Sequence, residues 1–492
     1  MSINRRQFTK LCAQSLGLSL LAACQLSQTT LHTRQQPTAT INHNPLWIPP
    51  TISGTTIDLA LAKSTTSFIN EVITTTYSYN AQPFWGPTII LNQHDTVTIN
   101  VTNKLAEATT THWHGIHLPA EMDGGPHQPI AAGATWSPTF TVNNDAATYW
   151  YHPHLHSKTM EQLSYGAGGL IIVNDAHEAS LPLPRTYGSD DIPLVLTSRR
   201  FLDNNAIDTM AIYGDVLLSN GTSNATIALP AQFVRIRLLN AEVERSYNLG
   251  FHDDRTFYVI ASDGGLLNAP VPVTRLPLAV GERYEILVDL QHDPVGSTLE
   301  FMAYNGGQPF GFPGGENARD GEFGSLLNNT TFPVLHISVM PSTPNAILSL
   351  PTTLAKNVLW QAHDATQQLT IAITDHGPGT PFTFDNHGYD MQTINQTITR
   401  DSVEQWTIVN GRTFDHAFHI HDVQFAIVSR TSGPVPAYEQ GWKDTLAIAI
   451  DESVSFVAKF SDYANSHHPY MYHCHMANHE DGGLMGQFLV VE

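Results

Sequence analysis

The chain has 492 residues, and its 44 acidic against 23 basic side chains give a formal net charge of −21 with histidine neutral. That balance argues against nucleic acid or an anionic membrane surface as a partner and favours neutral or cationic small molecules. The length suggests about three domains with separate cores, and three cysteines are too few for a disulfide framework.

The chain opens MSINRRQFTKLCAQSLGLSLLAACQLSQTT. Arg5, Arg6 and Lys10 precede a short apolar run over residues 11–23, too short for a permanent membrane span, so residues 1–23 read as an export signal. Arg5-Arg6 followed by Gln7-Phe8 resembles a twin-arginine signal, which exports folded proteins. LLAAC, ending at Cys24, resembles a lipoprotein cleavage box; an ordinary cleaved signal with a chance cysteine is the alternative. Gln25 after it resembles outer-membrane sorting. The expected location is the periplasm or a lipid anchorage at the cell envelope, with membrane contact only through lipid on Cys24. Cys12 leaves with the signal, Cys24 carries the lipid, and Cys474 is left without a disulfide partner.

A Gln/Thr/Pro-rich linker follows over residues 24–44. Beyond it, short runs rich in Val, Ile and Thr alternate at period two: TVTINVTN (96–103), FVRIRLLN (233–240), YEILVDL (284–290) and VEQWTIVN (403–410). They predict an all-β protein of sandwiches, with one short helical turn at 161–165. Three of the runs end in Asn and lead to THWHG, SYNLGFHD and HAFHIHD, a loose repeat with one copy per domain. Breaks at SLPLPRTYG and MPSTPNAILSLP divide the chain into domains 45–180, 181–345 and 346–492. The middle copy keeps only His252, which makes that domain a spacer or wall.

Four H-x-H pairs stand in these outer domains: His112 and His114; His152 and His154, followed by His156; His419 and His421, preceded by His416; and His473 and His475, followed by His479. In a strand, i and i+2 side chains share a face about 7 Å apart, so two imidazoles can reach one metal or two adjacent ones. A lone pair is as readily an accident; four, two near each end, are not. Cys474 faces away from its two histidine neighbours. Two histidines and a cysteine with a weak axial ligand suit blue copper. A zinc site would want a fourth strong ligand or an open position, and a nucleophilic cysteine would want one base.

HWHG, HPHxH, HxxHxH and HCHxxxH, in this order, resemble the multicopper oxidases over essentially the whole chain beyond the signal. EMDGGP (121–126) and HPHLHSKT (152–159) resemble the bacterial laccase-like and periplasmic cuprous-oxidase branch. The resemblance implies three cupredoxin-like Greek-key β-sandwich domains and four coppers per chain. His416, Cys474 and His479 would hold the type 1 copper, and His112 and His419 the type 2 copper. His114, His152, His154, His421, His473 and His475 would hold the type 3 pair, with the trinuclear cluster between domains 1 and 3. Electrons would pass from Cys474 through His473 or His475, dioxygen would be reduced to water, and Asp123 and Glu480 would deliver protons. A monomer with a small reducing substrate is expected. His156, outside the family pattern, is read with His117, His127 and His252 as structural or supporting.

One departure stands out. The relatives' axial methionine falls here on Leu484, and Met485 is one residue late, so no strong axial ligand and a raised potential are expected; a local bulge bringing Met485 in is the alternative. With ten methionines in all and no Met-rich insert at 350–400, phenolic or other organic donors lead over cuprous or ferrous ions. A non-catalytic exported relative that has lost copper ligands is a further class, but all ten histidines and the cysteine are present here. Asp415 beside His416, with Glu439 and Asp444, could attract metal ions or accept a phenolic proton, though surface solvation is the plainer reading for Glu439 and Asp444. The Gly-rich stretch 307–325 reads as a mobile loop with no evident place over either site.

Overall fold

The computed structural model describes residues 43–69, 71–375, 382–411 and 414–492; the stretch read as an export signal, with Cys12 and Cys24, lies outside them. Alternation dictates the outer sandwiches. In β1 (Thr96–Asn103) and its counterpart near the C-terminus every second side chain is buried, so one face of each strand packs inward. β1 pairs in parallel with Thr56–Ser67. β2 (His112–His114) and β3 (Ala147–His152) lie on the facing five-stranded sheet, antiparallel, with His152 opposite His112. Ile99, Val101, Tyr149 and Ile171 are among the residues that fill the space between these sheets.

The predicted turn at 161–165 is a helix, α1 (Thr159–Tyr165), ended by Gly166 in the left-handed conformation. Its first free N–H groups, those of Thr159 and Met160, donate to the Asp481 carboxylate from the far end of the chain, at 3.1 and 2.9 Å.

In the middle sandwich, β4 (Phe233–Asn240) is buried along both faces, so its two arginines cannot reach water. Arg235 and Arg237 instead pair with Glu178, Asp191 and Glu285. Glu285 lies on the neighbouring β5 (Arg283–Asp289) and accepts a hydrogen bond from Thr148 of β3. β4 and β5 belong to a seven-stranded sheet that faces a six-stranded one across a large apolar cluster.

The third sandwich packs a sheet containing β6 (Val403–Asn410) against one in which β7 (His416–Ile420), β8 (Thr445–Ile448), β9 (Asn465–Cys474) and β10 (Met485–Val491) are neighbours. A short helix, α2 (Ala477–Asp481), joins β9 to β10. Trp406, Phe418, Phe456 and Phe488 lie in its core. The chain is thus all-β, three cupredoxin-like sandwiches. No helix among the described residues is long and apolar enough to cross a membrane.

The repeated strand-final asparagine has a physical role. Asn103, Asn240 and Asn410 are fully buried, and each side-chain amide donates to one carbonyl of the connection that follows and to one of a segment farther along the chain. Asn103 holds Glu107 and Ile130, Asn240 holds Arg245 and Leu278, and Asn410 holds Phe414 and Ala449. In the outer domains this knot carries the chain from β1 toward β2 and from β6 to β7, the histidine-bearing strands.

Candidate metal centre

β2 and β3 place His112, His114 and His152, and the turn after β3 adds His154. β7, β9 and the residues just after them supply His419, His421, His473 and His475, and all eight are buried. Their ring nitrogens fall into compact groups, the atoms of each within 4.8 Å of one another: His112, His114 and His419; His114, His152 and His475; His154, His421 and His473. The six histidines assigned jointly to the type 3 pair are thereby divided into two triads. Sequence spacing could not make that division, because each triad mixes both outer domains.

One nitrogen of most rings is tied by an acceptor, which leaves the other free to ligate. His112 Nδ1 donates to the Asp123 carbonyl at 2.9 Å and His419 Nδ1 to the Asp444 carbonyl at 2.8 Å. Nε2 of both is buried without a partner. His152 Nδ1 donates to the Pro153 carbonyl, and its Nε2 is likewise orphaned. His114 is reversed: Nε2 faces the Asp444 carboxylate at 3.1 Å, and Nδ1 faces His475 Nε2 at 3.1 Å. His473 Nε2 lies 3.1 Å from His154 Nε2 and 3.3 Å from His421 Nε2. Nδ1 of His421 and Nδ1 of His473 face the Asp123 carboxylate and the Cys474 carbonyl, so their Nε2 lone pairs oppose each other, an arrangement that a cation between them relieves.

Burial, reinforced by neighbouring imidazoles, holds His114, His152, His154, His419, His473 and His475 well below the usual histidine range. Neutral imidazole is the ligating form. The donor set therefore fits several soft-to-borderline metal ions at close quarters, copper included.

On the opposite face of β9, Cys474 Sγ lies 3.5 Å from both His416 Nδ1 and His479 Nδ1, and the three donors form a fourth group. Burial pushes the thiol up to about 12, so without a bound cation it is no nucleophile. Phe382 packs against both histidines, its ring 4.8 and 4.7 Å from theirs. Leu484 belongs to the apolar cluster that contains Cys474. Met485 pairs with His473 across β9 and β10, so its side chain shares His473's face and points away from Cys474.

Two carboxylates flank the eight histidines. Asp123 Oδ2 accepts from His421 Nδ1 at 2.8 Å, and Oδ1 lies 3.4 Å from His112 Nδ1. Burial opposes its charge, yet His421 and His112 hold its carboxyl below the usual range. The loop bearing it meets β2 closely. Gly124 has φ 77°, and a Cβ there would collide with the Thr111 carbonyl. Glu480 lies between His154 Nδ1 at 3.2 Å and His473 Nδ1 at 3.4 Å, and accepts from Thr159 Oγ1 at 2.5 Å. Burial, then the neighbouring Asp481, raises its carboxyl well above the usual range.

Three expectations are corrected. Asp444 and Glu439 are buried, not surface-solvated. Asp444 receives both arms of Arg283 at 2.6 Å, and Glu439 pairs with Arg430. Their sequence context, a charged loop, carries no sign of the arginine that another strand brings. The middle domain is more than a spacer. It supplies Arg283, and its Gly281, at φ 84°, lies so close that a Cβ would reach the His475 ring at 2.8 Å. The stretch 307–325 also has a definite place: Gly311 accepts from the Asp415 N–H beside His416.

His117, His127, His156 and His252 stand outside every ligand group of the described residues. His117 bridges Asp422 and Asp462, His127 contacts Gln487, His156 packs on Tyr389, and His252 accepts from the Glu300 N–H. Trp150, not singled out from sequence, stacks on His152 with ring centroids 4.1 Å apart and lies 5.2 Å from His114. Its i, i+2 relation to His152 on one strand was the available signal.

Family profiles described as multicopper oxidase match residues 60–178, 196–304 and 358–492. The chain belongs to the multicopper oxidase family. It is 31% identical to cell division protein FtsP of Xenorhabdus nematophila, over 100% of this chain and 99% of that protein. It is 30% identical to multicopper oxidase mco of Staphylococcus haemolyticus, with 88% of each covered. Of solved structures, the laccase-like multicopper oxidase CueO of Ochrobactrum sp. superposes with a TM-score of 0.81 at 31% identity, covering 91% of this chain and 100% of that one. A metallo-oxidase of Campylobacter jejuni gives 0.78 at 26% identity, covering 92% and 96%. Membership implies copper, dioxygen and a reducing substrate.

Proposed function

We propose that the protein is a laccase-like oxidase that couples one-electron oxidation of phenolic or other organic donors to four-electron reduction of dioxygen to water. The observation that supports it best is the completeness of the donor set: ten buried histidines and one buried thiol, grouped within ligating reach on both faces of β9. When bound, copper supplies the one-electron and dioxygen chemistry. On this reading His416, Cys474 and His479 hold one ion, His112 and His419 a second, and the two triads a pair, four per chain.

The chain's own residues supply the rest. Cys474 is peptide-bonded to His473 and His475, so one residue step along β9 joins the two sites. Phe382 covers the Cys474 group and keeps water from it. Asp123 orients His421, while Glu480, its carboxyl raised by burial and set between His154 and His473, stands where it could deliver a proton to the centre. The Ochrobactrum relative's oxidase activity toward lignin model compounds supports organic donors. The division protein FtsP and the Campylobacter metallo-oxidase keep a structural role and metal-ion oxidation as the rival readings. The protein is taken to act as an exported monomer, through the twin-arginine route and with a lipid on Cys24.

Reconstitution with copper tests this directly. An intense blue absorption band is expected, with oxygen uptake faster on a phenol than on cuprous or ferrous ion. A protein that takes up no copper, or takes it up and consumes no oxygen with any donor, would overturn the reading.

A further inference from the structure

We propose that Trp113 and Trp136 form a path by which a donor-starved centre draws electrons from the protein surface, so that Trp136 is oxidised in place of the ligating histidines. The proposal rests on the reading of the eight histidines as a copper centre that reduces dioxygen, and adds to it what happens when the donor runs short.

Trp113 stands in β2 as Cys474 stands in β9. It is peptide-bonded to two histidines of the centre, and its own side chain turns to the other face of the strand. That face is the core of the first sandwich, where the Trp113 indole is wholly buried. Its ring lies 6.2 Å from that of Trp136 and within 17° of parallel. Trp136 ends the short strand Thr135–Trp136, which pairs with β1, and is half-buried at the edge of that core. Two stacked rings thus lead from the peptide between His112 and His114 to solvent.

Proton balance decides which rings can pass an electron on. Indole and phenol are the side chains that yield a single electron most readily. A phenol does so only when its proton leaves as well, whereas an indole can keep its proton as a radical cation. Trp113 Nε1 is buried with no partner, so no base takes its proton, and a neighbour must replace the electron it loses. Trp113 therefore relays. Trp136 borders solvent, so water takes its N–H proton once the electron has gone, and the neutral radical stays there.

The other rings around the centre lead into the interior. Tyr151, 6.1 Å from Trp113, donates its hydroxyl to the Pro87 carbonyl at 2.8 Å. That carbonyl is no base, and burial holds the phenol well above its usual range. Trp150, stacked on His152, has Trp85 as its next indole at 6.3 Å. Trp85 is buried, its Nε1 is also without a partner, and the rings beyond it are Phe84, Phe68 and Phe201. Phenylalanine binds its electrons far more tightly, so that branch passes none outward.

The step balances as follows. Trp113 gives one electron to the centre when dioxygen reduction has begun before all its electrons have come through Cys474. Trp136 gives one electron to Trp113 and its N–H proton to water. An organic donor then returns one electron and one proton and restores the indole. Without a donor, a second electron leaves by the same path, water adds to the ring with loss of a further proton, and hydroxytryptophan remains.

The test turns the copper-loaded protein over in air with limiting ferrocyanide, then maps oxidised tryptophan and histidine by peptide mass spectrometry. Hydroxytryptophan at Trp136 is expected several-fold above that at Trp360, which is likewise half-buried but lies outside the strands. The copper-free protein in the same air and ferrocyanide should show no such excess. Trp136→Phe should keep its oxygen uptake with excess ferrocyanide, and its ligating histidines should gain oxygen several-fold faster than in wild type when ferrocyanide is limiting. In samples frozen during limited turnover, electron spin resonance should show a deprotonated indolyl radical in wild type that is lost in W136F. Oxidation at Trp136 no greater than at Trp360, equal histidine oxidation in wild type and W136F, or an indolyl signal that persists in W136F would each overturn the proposal. Oxygen uptake with excess ferrocyanide reports on the copper reading by itself. Uptake without the Trp136 signature refutes the path alone, and no uptake with any donor refutes both.

Discussion

Leu484 lies in the apolar cluster that contains Cys474, and a hydrocarbon side chain offers a bound metal no electron pair. A copper held by His416, Cys474 and His479 without a thioether would have a raised potential. Leu484→Met is expected to lower the potential of the blue site, read by spectroelectrochemical titration of its band; an unchanged potential would mean that residue 484 is not axial. Asp123 makes a separate prediction. Asp123→Asn keeps an acceptor oxygen for His421 but loses the charge, so turnover should fall about 10- to 100-fold while copper per chain stays constant. That requires metal analysis alongside oxygen uptake. The histidines and the cysteine that the structure groups together were legible residue by residue, because strand alternation brings H-x-H side chains to one face. Asp444 was not, because its partner Arg283 lies 161 residues away.

At the level of elements, the knots at the ends of β1, β4 and β6 explain why a strand-final Asn recurs. The amide fills what would otherwise be unpaired carbonyls in a buried connection. Asn410→Ala should therefore cost about 1–3 kcal/mol, seen as a lower denaturant midpoint of the copper-free protein with an unchanged slope. Arg283 of β5 is joined to Asp444, the residue before β8, by an ion pair that is fully buried. Asp444→Asn leaves the guanidinium without its main counter-charge, and about 3 kcal/mol of stability should be lost. A thermal midpoint indistinguishable from wild type would show that Asp263, 3.6 Å from the same guanidinium, compensates. The four runs delimited from period-two patterns match strands to within a residue. The burial of both faces of β4 was not, since its arginines look like a solvent face until Glu178, Asp191 and Glu285 are brought to them.

Across the whole molecule, His117 of the first domain is clamped between Asp422 and Asp462 of the third, at 2.8 and 3.0 Å. Burial opposes its charge, but the two carboxylates raise it to about 9 from an ordinary 6.5. A raised histidine contributes its full stability below about 6.5 and loses it as pH rises through about 9. His117→Gln should thus lower the thermal midpoint at neutral pH, with the gap from wild type closing above pH 9. A gap that stays constant across that range would assign the contact to packing.

By itself the sequence determined the all-β class, the family, and the identity of the ten histidines and one cysteine. Those are properties of local periodicity and of short spacings along single strands. Only the tertiary structure decided how the six shared histidines divide into two triads, that Met485 turns away from Cys474, and that Asp444 and Arg283 stand beside the histidine groups. Each of these joins residues far apart in the chain or depends on cross-strand register, and such contacts leave no periodic trace to read.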